Sequence, residues 1–323
     1  MLTVSVKKTI SIIVPVYNEK KNLEALFSEI YEAIKDLPFL YEIIAVDDGS
    51  SDGSDEVLKQ LATQYDHVKI INFRRNFGQT AALSAGFDHA KGDIIIPLDS
   101  DLQNDPKDIA NLITKIDEGY DVVSGWRKHR QDAAIKRNFV SRVANKIISI
   151  VSGVRLNDYG CTLKAYKKSA LEGVKLYGEM HRFIPIYAHL IGAKVTEIPV
   201  NHRKRIHGES KYGMNRVYKT MLDLMVVTFI AKYLRKPIYL FGGIGLILLM
   251  ISFVTALWAV YLKFTGLSFI RTPLPLFSAM TFILGIVCIL MGIMSEMIIR
   301  TYFESQDKKA YTIKNIITSS DKS

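Results

Sequence analysis

The chain has 323 residues, 49% of them apolar, with 42 Lys/Arg against 32 Asp/Glu and a formal charge of +10. That length holds one or two domains with a sizeable core, and two cysteines exclude a disulfide framework. The positive excess sits in residues 127–146 and 201–236, which carry +6 and +7. Both lie beside lipid-directed elements described below, which favours anionic headgroups or a lipid phosphate over nucleic acid as the partner.

The N-terminal run MLTVSVKKTISIIVPVYNE is only briefly apolar and passes straight into strand-like sequence, so it reads as part of the folded domain rather than as a signal peptide. Strands are predicted at Ile10–Val16, Tyr41–Val46, Val68–Phe73 and Asp93–Leu98, with helical patterns near 19–36, 53–65 and 77–91. Such alternation predicts an α/β fold, a mostly parallel sheet with helices on both faces. Its ligand site belongs at the carboxyl ends of the strands. Three of the four strands end in polar clusters: Tyr17-Asn18-Glu19, Asp47-Asp48-Gly49-Ser50 and Asp99-Ser100-Asp101.

The last cluster is the most informative. An apolar strand ending in two carboxylates one residue apart offers hard oxygen ligands, which suit Mg²⁺ or Mn²⁺ holding a substrate phosphate. No G-x-G-x-x-G follows the first strand and no G-x-x-x-x-G-K-[ST] occurs, so a dinucleotide cofactor and a phosphate-cradling loop are both disfavoured. Asp47 and Asp48 can accept hydrogen bonds from a base or ribose, although the surrounding DDGSSDGS is also good turn and helix-cap sequence; one of the pair is expected to be structural. His181, His202 and His207 lack the spacing and the cysteine partners of a compact zinc site.

Further along, Ile135, Phe139, Val143, Ile147 and Val151 recur every fourth residue with Lys136, Arg137, Arg142 and Lys146 on other faces. This predicts an amphipathic helix over about 135–152, lying in a membrane interface or on the protein core. A second helix is expected over 215–235, leading into the C-terminal part. Residues 237–262 and 272–295 are uncharged runs of 26 and 24 positions, each longer than the roughly 20 apolar residues that cross a hydrocarbon core. Two transmembrane helices are predicted at about 237–262 and 272–298, within a segment 236–300. Lys232, Arg235 and Lys236 before the first span and Arg300, Lys308 and Lys309 after the second, against only Lys263 and Arg271 between, place both flanks in the cytoplasm. Residues 1–214 are then a cytosolic domain anchored to the cytoplasmic membrane, and 301–323 a cytosolic tail. Cys161 and Cys288 fall one in each part, which disfavours a disulfide.

Taken together, IIVPVYNE, AVDDGSSDGS, IPLDSDLQNDP, DYGC and GESKY resemble glycosyltransferase family 2, in its polyprenyl-phosphate glycosyltransferase branch. The resemblance covers nearly the whole chain, and GYDVVSGWRKHRQD and NDYGCTLKAYKK are most similar to its aminoarabinose transferases. It implies a GT-A fold, with Pro15, Tyr17 and Glu19 in a nucleotide pocket, Asp47 or Asp48 at base and ribose, and Asp99, Asp101 and Gln103 holding Mg²⁺ or Mn²⁺. It implies transfer of one sugar, glucose-like and UDP-linked, to undecaprenyl or dolichyl phosphate with inversion, and assembly as a homo-oligomer in many members. Asp158 matches the position the family assigns to a catalytic base; positioning the acceptor fits the chemistry equally well, because a phosphate monoester is largely ionised near neutral pH. Arg127, Arg130, Arg205, Ser210 and Lys211 would meet the acceptor phosphate or the diphosphate, since Arg supplies a fork matched to phosphate. A processive polysaccharide synthase shares the nucleotide-binding half, but it carries Q-x-x-R-W and more spans, and this chain has neither. A non-catalytic nucleotide-sugar-binding scaffold is disfavoured by the intact Asp99, Asp101, Asp158 and Arg205.

Overall fold

A computed structural model describes residues 8–128, 149, 152–172, 174, 180–204, 226, 229, 233 and 236–305, the side chains of 300 and 302–305 apart. The chain divides into two compact units, 1–227 and 228–323.

The first unit is built on a seven-stranded sheet. Its strands are β1 (Thr9–Val16), β2 (Leu40–Asp47), β3 (Val68–Asn72), β4 (Ile94–Pro97), β5 (Val122–Trp126), β6 (Lys164–Lys167) and β7 (Val195–Pro199), in the order β3-β2-β1-β4-β6-β5-β7. The four strands expected from sequence form the parallel half, with β1 between β2 and β4. In the other half β6 runs antiparallel to both β4 and β5, and β7 is parallel to β5. These three strands were not anticipated.

Parallel strands buried on both faces read as continuous apolar runs, and β1 and β4 show how each face is used. Ile10, Ile12, Val14, Ile94 and Ile96 join a core with Leu23, Leu26, Phe27, Ile30 and Ile34 of α1 (Lys20–Ile34), Leu58 of α2 (Ser54–Gln64) and Leu112 of α4 (Asp108–Asp117). The intervening Ile13 and Ile95 pack on the opposite face against Ala82 and Leu83 of α3 (Gln79–His89). The period of 2 in the strands and the i, i+3, i+4, i+7 spacing in α1 thus produce helices on both faces. Among the described residues this unit also has two short helices, α5 (Lys168–Leu171) and α6 (Ile184–Leu190).

The chain winds from β1 outward through β2 and β3, then returns to add β4 on the other side of β1. This is a topological switch point, where the open crevice of an α/β sheet lies. The carboxyl ends of β1, β2 and β4 meet there.

The second unit contains α7 (Ile238–Phe264) and α8 (Leu274–Ser305), both long and apolar enough to cross a membrane. They pack through small residues in a seven-residue rhythm: Gly245, Ser252 and Ala259 on α7, Ser278, Gly285 and Gly292 on α8. A Cβ on Gly245 would lie 2.7 Å from the Gly285 carbonyl oxygen, and one on Gly285 would lie 3.0 Å from that of Gly245, so the backbones approach as only glycine permits. Ser252 and Ser278 exchange hydrogen bonds, each hydroxyl donating to the other's carbonyl at 2.8 and 2.9 Å. The outward faces carry exposed Leu246, Met250, Phe253, Met280, Ile283 and Met294. An apolar outer surface of this kind suits lipid rather than a protein core.

The expected interfacial helix over 135–152, the helix over 215–235 and the tail lie largely or wholly outside the described residues, as do Arg130, Arg205, Ser210 and Lys211.

Candidate active site

The site grows from four loops at the carboxyl edge of the parallel half. After β1 the chain turns through Asn18, whose φ of 54° is one of few left-handed non-glycine residues. Asparagine tolerates that conformation. Its side-chain oxygen accepts Ser51 N–H at 2.8 Å and its own N–H donates to Ser50 Oγ at 3.0 Å, which ties the first loop to the second. Glu19 accepts from Asn22 Nδ2 at 2.6 Å at the start of α1, and Tyr17 is half-buried beside it. Pro15, inside β1, pairs with Val46 one residue before Asp47.

The paired aspartates after β2 have different surroundings. Asp48 accepts three hydrogen bonds from the β3–α3 loop: Phe77 N–H at 2.7 Å, Gly78 N–H at 2.9 Å and Asn76 Nδ2 at 3.0 Å. Burial pushes its carboxyl up, and the two backbone N–H groups oppose that. Among the described residues Asp47 accepts only long bonds from Ser50 N–H, at 3.3 and 3.4 Å. Turn and cap chemistry falls to a third carboxylate, Asp52, which receives Lys20 N–H and Ser54 N–H at 3.0 Å and so caps two helix starts. Gly49 (φ +68°) completes the turn, because a Cβ there would meet the Arg75 carbonyl carbon at 2.5 Å.

After β4 come Asp99, Ser100, Asp101, Leu102 and Gln103. Leu102 has φ of 60°, an outlier for a bulky residue, and its side chain is buried in the main core. The buried leucine anchors a reversal that brings the Gln103 N–H to Asp101 Oδ1 at 3.2 Å. Asp99 accepts Gln79 Nε2 at 2.7 Å and is also hydrogen-bonded by the Thr162 side chain. Burial, then the neighbouring charge of Asp101, pushes the Asp99 carboxyl up to about 6. A carboxyl raised by burial and by an acidic neighbour, with that neighbour and an amide oxygen each two residues further on, makes a hard-oxygen donor set short of positive charge. Asp99, Asp101 and Gln103 therefore fit Mg²⁺ or Mn²⁺, cations held by one or two carboxylates plus substrate phosphate. Among the described residues no group of three His, Cys, Asp or Glu could enclose an ion without such help.

The far wall is the loop before β6. Asp158 is buried and receives Arg127 in a two-point clasp, Nε to Oδ2 at 2.7 Å and Nη2 to Oδ1 at 3.0 Å, with Gly160 N–H adding 3.0 Å to Oδ1. Burial alone would lower the Arg127 pKa; the Asp158 carboxylate overrides it and holds it above its ordinary value. Two residues singled out separately from sequence are thus one ion pair. The segment after β7 pairs with the loop after β4, Arg203 N–H donating to the Gln103 carbonyl at 2.8 Å. Arg203 is fixed to Glu29 at 2.7 Å and Asp105 at 2.8 Å. His181 Nδ1 meets Thr80 Oγ1 at 2.7 Å in a buried contact, and His202 sits in a bridge with Asn104.

Sequence reasoning missed Gln79, Thr162, Lys164 and Arg203. The β3–α3 loop was the one strand end without an obvious acidic cluster, yet Asn76 and Gln79 reach Asp48 and Asp99. The Gly78-Gln79 helix start at a strand's carboxyl end was the available signal.

A doubly wound mixed sheet with carboxylates converging at its switch point is the architecture of the GT-A fold of glycosyltransferases. Residues 11–174 match the Glycosyl transferase family 2 profile, and the chain belongs to that family. It is 37% identical to a dodecaprenyl-phosphate galacturonate synthase of Rhizobium johnstonii, over 95% of this chain and 92% of that one. It is likewise 37% identical to an undecaprenyl-phosphate 4-deoxy-4-formamido-L-arabinose transferase of Shewanella sediminis, again over 95% and 92%. A glucosyl-3-phosphoglycerate synthase of Mycobacterium tuberculosis, solved with Mn²⁺, UDP and phosphoglyceric acid, shares the fold at a TM-score of 0.55 and 15% identity, over 69% of this chain and 78% of that one.

Proposed function

We propose that the protein transfers a single sugar from a UDP-linked donor to a polyprenyl phosphate, with inversion, at the cytoplasmic face of the membrane that holds α7 and α8. The observation that carries this is the position of Asp99. It stands beside Asp101 at the end of β4, bonded on one side by Gln79 from the β3–α3 loop and on the other by Thr162 from the loop of Asp158. Relatives named for dodecaprenyl and undecaprenyl phosphate acceptors, similar over nearly the whole chain, support the lipid acceptor. The two exposed apolar helices support a membrane setting.

In this reading Pro15, Tyr17 and Glu19 line the nucleotide pocket. Asp47, the less engaged of the pair, meets base or ribose, while Asp48 fixes the β3–α3 loop. Asp99, Asp101 and Gln103 hold Mg²⁺ or Mn²⁺, which would neutralise the charge that builds on the diphosphate. The acceptor phosphate oxygen forms a bond to the anomeric carbon as the bond from that carbon to the β-phosphate oxygen breaks. The electron pair leaves with the nucleoside diphosphate. A single displacement inverts the centre.

Asp158 serves this step by orienting Arg127 rather than by taking a proton. Both its oxygens are engaged, and the acceptor phosphate is already ionised near neutral pH. Arg127, with Arg130, Arg205, Ser210 and Lys211, supplies the positive charge that brings a dianion to a diphosphate. The test is purified protein in detergent with undecaprenyl phosphate and a panel of UDP- and GDP-sugars. One sugar per lipid, from a UDP donor and with inverted anomeric configuration, is expected. Polymer, or retained configuration, would refute the mechanism.

A further inference from the structure

A lysine is buried behind the acceptor loop. Lys164, the first residue of β6, is 2% exposed. Its ammonium donates to the carbonyl of Tyr159 at 3.4 Å and to the carbonyl of Cys161. Lysine is rarely buried to this degree, and taking an ammonium out of water is costly. Burial pushes its pKa down, with the charges of Asp158 and Asp99 acting against that shift. A thioether of similar length would fill the same space but leave two carbonyls without this donor, which costs stability. An ammonium here nonetheless calls for a reason beyond filling space.

The loop it fastens gives one. Residues 158–162 carry Asp158, clasped by Arg127, at one end and Thr162, bonded to Asp99, at the other. Just before it, Asn157 N–H donates to Glu197 at 2.7 Å; within it, Tyr159 Oη donates to the Val154 carbonyl at 2.6 Å and Gly160 N–H to Asp158 at 3.0 Å. Among the described residues, the side chain that ties the backbone carbonyls of this stretch from outside it is Lys164, through Nζ on those of 159 and 161.

We infer that Lys164 is a positioning residue of the transfer reaction: its ammonium, tied to the Tyr159 and Cys161 carbonyls, sets the loop that presents Asp158 to Arg127 and Thr162 to Asp99. Its positive charge also faces the carboxylates gathered there. This rests on the reading that Asp99 and Asp158 serve sugar transfer.

The test uses the full-length protein in detergent with Lys164→Met, which removes donor and charge, and Lys164→Gln, which keeps a donor. With Lys164→Met the thermal midpoint falls, because two carbonyls lose their donor, and well below that midpoint kcat also falls about a hundredfold, the scale of a 1 Å misplacement, with the KM for the nucleotide sugar unchanged. Lys164→Gln recovers part of that loss. Thr162→Val, cutting the loop's link to Asp99, lowers kcat without changing nucleotide KM and serves should both lysine variants fail to fold. Wild-type kcat in Lys164→Met or in Thr162→Val overturns the inference, as does a loss confined to thermal stability. Asp101→Ala, run alongside, separates the two ideas. If it stays active the metal reading falls, whereas an inactive Asp101→Ala beside a fully active Lys164→Met overturns the role of Lys164 alone.

Discussion

The two flanks of the site hold their carboxylates by different means. On the β1–β2 flank, Asp48 and Asp52 are satisfied by backbone N–H groups of nearby turns. On the flank before β6, Asp158 is satisfied chiefly by a buried guanidinium 31 residues away in sequence, with Lys164 behind it. Amides cannot be lost by mutating a side chain, and they carry no net charge. A cation can be deleted, and its partner is then left buried and uncompensated. The first flank is therefore a rigid seat for a ligand, and the second is the electrostatically exacting side.

Deleting the cation on the second flank is the strongest way to break this contrast. Arg127→Met leaves Asp158 buried without its partner, and removal of one member of such a pair destabilises by about 3–5 kcal/mol. Denaturant unfolding in detergent should show that loss, and Arg127→Met combined with Asp158→Leu should recover most of it. On the first flank, Asn76→Ala removes one of Asp48's three donors and leaves both backbone bonds, so a much smaller loss is expected. Equal losses would erase the distinction.

A second pair of regions sharpens it, because α7 and α8 rely on close backbone contact rather than on charge. Gly285→Leu forces a side chain where even a Cβ would lie 3.0 Å from the Gly245 carbonyl oxygen, and overpacking of this kind costs about 1–3 kcal/mol. The effect belongs in the thermal stability of the detergent-solubilised protein, with the KM for the nucleotide sugar unmoved.

The smallest effect is a pH dependence at the end of β4. Burial and Asp101 raise the Asp99 carboxyl to about 6, above its unfolded value. A raised acid destabilises once ionised, so the cation-free protein loses stability as pH rises toward about 6. A divalent cation needs the ionised form, so its binding has the opposite sign. The Mn²⁺ concentration for half-maximal nucleotide binding should rise roughly tenfold per pH unit below about 6 and level off above it. A flat response from pH 5 to 8 would remove Asp99 from the ligand set.

Contiguity explains what could be read in advance. DDGSSDGS and DSD are unbroken acidic clusters at strand ends and announced themselves, although the amides that hold Asp48 lie 29 and 30 residues away. So did the parallel half of the sheet, whose strands β1 to β4 are continuous apolar runs separated by helical periods. The mixed half was not legible: β6 is four residues long, Lys-Ala-Tyr-Lys, and its burial is set by neighbours distant in sequence. The Arg127–Asp158 pair, the Gln79–Asp99 bond and the buried Lys164 depend on how loops from different strands converge. No local spacing encodes that. The two long apolar helices lie at the other extreme, since composition alone marks such runs.

The central claim is that carboxylates from separate loops gather around one divalent cation to send a sugar onto a lipid phosphate. Its most direct test is lipid-linked product formation by the reconstituted full-length protein with a UDP-sugar and undecaprenyl phosphate, first in EDTA and then during Mn²⁺ titration, for wild type and Asp101→Ala. One sugar per lipid that appears only with Mn²⁺ and only in wild type is the predicted result. Product formed in EDTA, or by Asp101→Ala at the wild-type rate, would contradict it.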